Sequence, residues 1–122
     1  MTKQEATEII DRNYDCREKS LIYCLHEKSK FSEKRFWEFY DSAICLAEDA
    51  KAKGRSADTA MKITRIYQCV LKEFIYHFDK NDLSLLRKFP KNYGDYIERL
   101  DYAVDAYFRG SLINDEFFEL RK

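Results

Sequence analysis

Cysteine and histidine are the residue types of zinc sites and of nucleophilic catalysis, and this 122-residue chain carries Cys16, Cys24, Cys45, Cys69, His26 and His77. A tetrahedral zinc site draws on closely spaced ligand pairs. Cys24 and His26 are two apart, which on a helix turns their side chains in clearly different directions, and no second close pair completes a set. No metal and no other cofactor is therefore expected. No cysteine falls at an expected helix start or beside a histidine that would lower its pKa, so an activated thiolate is not expected. His77 with Asp79 and Asp82 is the better polar cluster, and a histidine oriented by a carboxylate is the makeup of a general base. The same residue types serve the end of a helix, where histidine complements the macrodipole and aspartate caps the next turn. That structural role is the expectation here. A glycine-rich phosphate loop is absent, and the chain reads as non-enzymatic.

Charge is more informative than reactive chemistry. Asp95, Glu98, Asp101, Tyr102 and Asp105 recur every three or four residues, which on a helix places them on one face, with Arg109 closing the row. Like charges at this spacing repel by a few tenths of a kcal/mol per pair, where a merely solvated face mixes signs. Tyrosine adds contact area at small entropy cost and keeps a hydroxyl for hydrogen bonding. These five residues are the expected partner-binding set, and Asp115, Glu116 and Glu119 extend the acidic field. A contrasting row of Lys62, Arg65, Lys72 and Tyr76, preceded by Lys51, Lys53 and Arg55, has the makeup of a phosphate-binding face. A match between the two faces across copies would give a homodimer.

Rows of this kind need helices to hold them in line, and the punctuation supplies helices throughout. Three glycines and one proline interrupt the chain, at positions that end helices. Thr2 and Glu5 have the spacing of a capping box, after which Ala6, Ile9, Ile10, Leu21, Cys24 and Leu25 share one side of a helix running to about Lys28. Asn13, Arg17 and Ser20 interrupt that stripe, which implies a bend near Asn13 or packing only at the two ends. Ser32 caps the next helix, which runs to Gly54 with an apolar arc around half its circumference. Ser56 or Asp58 starts a helix whose stripe is Ile63, Ile66, Tyr67, Val70, Leu71, Phe74, Ile75 and Phe78. Leu83 to Phe89 fits a short helix ended by Pro90. Asn92 caps the helix of the acidic row, with Tyr93, Tyr96, Ile97, Leu100, Ala103, Val104, Tyr107 and Phe108 toward the core and Gly110 in the left-handed cap. A last turn or two from Asn114 to Leu120 docks Phe117 or Phe118.

The fold class that follows is all-α: residues 1–122 form a single-domain irregular bundle of four or five helices with a short C-terminal helix. Apolar residues at 45% and aromatic ones at 16% supply one core. Twenty-two basic and twenty-two acidic residues cancel, so no global field draws the chain to nucleic acid, and no apolar run is long enough to cross a membrane. Residues 1–10 lack the apolar centre and cleavage site of a signal peptide, which places the protein in the cytoplasm with its cysteines reduced.

In size, reduced cysteines and aromatic content the chain is similar to the small helical immunity proteins of bacterial toxin systems. That similarity, with the acidic row, implies a cytoplasmic protein-binding module of immunity or antitoxin type that occludes a basic partner such as a nuclease toxin. The alternative is a small nucleic-acid-binding regulator working through the row from Lys62 to Tyr76.

Overall fold

Local capping decides where most of the helices begin. In the computed structural model, which describes residues 1–81 and 85–110, the elements are α1 (Lys3–Tyr14), α2 (Leu21–Glu27), α3 (Glu33–Lys53), α4 (Ala57–Phe78) and α5 (Tyr93–Arg109). The chain is all-helical, a bundle of five helices among the described residues. Thr2 and Glu5 close a reciprocal capping box at the start of α1. Ser20, Ser32 and Ser56 each accept from the backbone three residues on, at the starts of α2, α3 and α4. Gly110 ends α5 in the left-handed conformation, with φ 68. Asn92 makes no side-chain bond at the start of that helix, contrary to expectation.

The helix expected to reach Lys28 is broken. Cys16 and Lys19 adopt positive φ and residues 15–20 turn the chain, so α1 and α2 are separate. Asn13 stabilises the corner. Its buried side chain donates to the Ile9 carbonyl at 3.0 Å and accepts from the Ile22 amide at 3.2 Å, reaching across the break. Such a residue interrupts an apolar stripe because it replaces backbone partners that the break removes.

Residues 85–89 form no helix either. Lys30 and Arg87 form an isolated parallel bridge, with Phe31 N donating to Arg87 O at 3.0 Å and Arg87 N to Ser29 O at 2.7 Å. Leu86, expected in a helix, is buried here as part of an extended segment. The expected turns from Asn114 to Leu120 lie outside the described residues.

The core is aromatic at its centre. Phe36, Tyr96 and Phe31 meet with ring centroids 4.8 to 5.9 Å apart, and Trp37 meets Phe36 edge-on at 5.0 Å. Ile10, Leu25, Ile63, Val70 and Leu100 complete one cluster to which every helix contributes.

Candidate partner-binding face

The position of α5 is set by contacts on two sides. Toward α3, Arg99 is 1% exposed, donates to the Tyr40 hydroxyl at 2.9 Å and lies 5.5 Å from the Trp37 ring centroid. Toward α4, the Tyr107 hydroxyl accepts from Ser56 N at 3.0 Å, Tyr67 donates to the Asp101 carboxylate, and the Phe78 and Tyr93 rings meet at 5.0 Å. The start of α4 therefore meets the end of α5 and the reverse, so the two run antiparallel.

These contacts rotate α5 away from its expected orientation. Arg99, Tyr102 and Ala106 are buried, whereas Tyr93 and Phe108, expected in the core, are 39% and 41% exposed. At 100° per residue the buried arc is turned by roughly 80° from the apolar stripe. Tyr102 is thereby withdrawn from the acidic face. It is 7% exposed, with its ring 6.3 Å from that of Tyr40, so it is a core residue and its expected place on the contact surface is corrected. Burial of its ring against α3 outweighs the polar hydroxyl.

Asp95, Glu98, Asp101 and Asp105 are exposed on the outer side of α5, and none has a cation within ion-pair distance among the described residues. Several acids elsewhere are matched. Lys62 holds Asp11 at 2.8 Å and Asp58 at 3.0 Å, Arg12 and Arg35 share Glu38, and Lys3 holds Asp49 at 3.1 Å. The hydrogen bond from Lys3 lowers the Asp49 pKa, and those that Lys62 donates to Asp11 and Asp58 raise its own. Within the acidic row, Asp101 receives a polar side-chain partner from the neighbouring helix. Tyr67, half-buried against the core as its place in the stripe implies, also places its hydroxyl against Asp101 and supplies this face with a tyrosine. Its pKa is pushed up to about 12, first by that hydrogen bond, then by burial and by the Asp101 and Asp105 charges. The sequence signal for this contact was the polar end of an otherwise apolar position.

The basic row is thinner than its composition suggests. Lys62 is consumed by Asp11 and Asp58, Lys53 by Asp49, and Arg55 donates to the Phe108 carbonyl. Arg65 and Lys72 remain without an ion pair among the described residues, beside a cleft of about 420 Å³ that Tyr14 and Gln68 also line. Tyr76 is exposed one turn beyond Lys72.

His77 accepts from the Leu86 amide through Nδ1 at 3.0 Å and stacks on Phe89 at 3.9 Å. Asp79 accepts from Asn81 N at 2.9 Å, a turn contact, and Asp82 lies outside the described residues. His77 thus latches the extended segment onto α4. Burial, followed by the charge of nearby acids, raises the Cys16 and Cys69 thiols, and burial raises Cys45. Those thiols are held protonated, the reverse of an activated nucleophile. Among the described residues no three His, Cys, Asp or Glu side chains converge to hold a metal ion.

No family model, curated protein or solved structure matches this chain. The row of exposed carboxylates gives the outer side of α5 a negative local potential. No helix among the described residues is long and apolar enough to cross a membrane.

Proposed function

We propose that this chain is a non-enzymatic, cytoplasmic protein-binding module of immunity or antitoxin type, which occludes a basic partner such as a nuclease toxin with the outer face of α5. The observation that carries the reading is the row itself: Asp95, Glu98, Asp101 and Asp105 stand exposed along one side of α5 with no cation within ion-pair distance among the described residues, while Asp11, Glu38, Asp49 and Asp58 are paired. A toxin that holds phosphate needs a positive site, and a prealigned acidic row competes for it with steered, salt-sensitive association. The test is affinity capture with tagged wild type beside Glu98→Lys, Asp105→Lys, a pair chosen to leave the Tyr67 contact with Asp101 in place. A basic protein retained by wild type and lost by the variant supports the reading; equal retention by both removes it.

A second reading has its own observation, Arg65 and Lys72, without an ion pair among the described residues, beside the cleft lined by Tyr14. It predicts nucleic-acid binding that weakens steeply with salt and is lost in Arg65→Glu, Lys72→Glu. Binding that ignores salt, or none, dismisses it.

A further inference from the structure

Alongside the acidic row, the junction of α4 and α5 leaves apolar side chains in water. Ile75 is 64% exposed, Phe78 55% and Tyr93 39%. Exposed apolar residues scattered singly need no explanation, but these adjoin: Phe78 touches Tyr93 at 5.0 Å, Ile75 lies one turn before Phe78 on α4, and half-buried Ile97 lies one turn after Tyr93 on α5. One further turn along α5 comes Asp101, joined by Tyr67 from α4, with Glu98 and Asp105 on the outer edge. The outer groove between two antiparallel helices is thus apolar at one end and acidic along one side.

We infer that this groove seats one amphipathic helix of the partner, its apolar stripe on Ile75, Phe78, Tyr93 and Ile97 and its lysines and arginines along Glu98, Asp101 and Asp105. The inference rests on the acidic-face reading and names the element that the face receives. The charge argument fixes the occupant's sign, since the carboxylates have no cation of their own among the described residues. Shape fixes its form. Two packed helices leave a groove into which a third lies with its i, i+3, i+4 and i+7 positions inward, and Tyr93 to Asp105 spans about 18 Å at 1.5 Å per residue, three turns of the incoming helix.

The test titrates the full chain with a synthetic lysine-rich helical peptide bearing a leucine stripe, and with a permuted peptide of the same composition, by fluorescence anisotropy. The amphipathic peptide is expected to bind at least tenfold tighter than the permuted one. Ile75→Ser should erase that difference with helix content unchanged, and Phe78→Ser is the second variant, both positions being exposed enough to accept serine. Glu98→Lys, Asp105→Lys should weaken both peptides. Equal binding of the two peptides to wild type overturns the groove; if the charge variant still weakens both, the acidic-face reading stands without it, and if the charge variant changes nothing, both readings fall. A dimer in sedimentation that Ile75→Ser dissociates assigns the groove to a second copy and overturns the proposal. So does a tenfold gain in peptide affinity in Phe117→Ser, Phe118→Ser, which assigns it to the chain's own residues.

Discussion

The Tyr67 hydroxyl donates to the Asp101 carboxylate, fastening α4 to the acidic row of α5. The bond gives the row one fixed member while Asp95, Glu98 and Asp105 stay open to solvent.

That bond has a signature in titration. Tyr67 is raised from its ordinary 10.0 to about 12, so the folded state holds its proton more tightly than the unfolded one. The stabilisation is complete below pH 10 and is lost as pH rises through 12. Asp101→Asn should bring Tyr67 down toward its ordinary value, and Tyr67→Phe should flatten the dependence of stability on pH in that window. Tyrosinate absorbance followed against pH, in each variant, checks both.

The acidic row should cost stability. Asp105→Lys places a cation four residues after Asp101 and near the C-terminus of α5, both favourable, and should stabilise the fold by about 0.2–0.5 kcal/mol. Thermal unfolding at low salt measures it. A loss of stability would mean that Asp105 has a partner in the fold.

Arg99 is buried against α3, and Tyr40 accepts one of its hydrogen bonds at 2.9 Å. Tyr40→Phe removes the acceptor and keeps the ring, leaving a buried donor to a charged group short of a partner, at about 1–3 kcal/mol. Urea unfolding should show a lower midpoint with an unchanged slope.

Lys19 sits at φ 64, where a side chain strains the backbone. Lys19→Gly should stabilise by about 1 kcal/mol if relief of that strain exceeds the added unfolded-state entropy, whereas Asn13→Ala, which strips the bond across the corner to Ile22 and the one back to Ile9 within α1, should destabilise by about 1–3 kcal/mol. Denaturant midpoints for the pair measure how much of the corner each residue supports.

The helix start and ends at Ser32, Gly54 and Gly110 were legible, and the start at Ser56 to within two residues, because capping is settled within one turn by neighbours in sequence. So was the acidic row, since four of its five members need only helical spacing to share a face. What the sequence by itself determined is this local order: helical elements, their caps and a line of charge along α5. The tertiary structure alone decided which side of α5 faces inward, because an arginine and a tyrosine look solvent-seeking until Tyr40 and Trp37, far away in the chain, receive them. It also decided the break after Tyr14 and the extended run near Arg87, which depend on Asn13 reaching Ile22 and on Lys30 pairing across the fold. It brought Tyr67 to Asp101 as well, since periodicity assigns a residue to a side of its own helix, whereas the hydroxyl at its tip finds its partner only after two helices have packed.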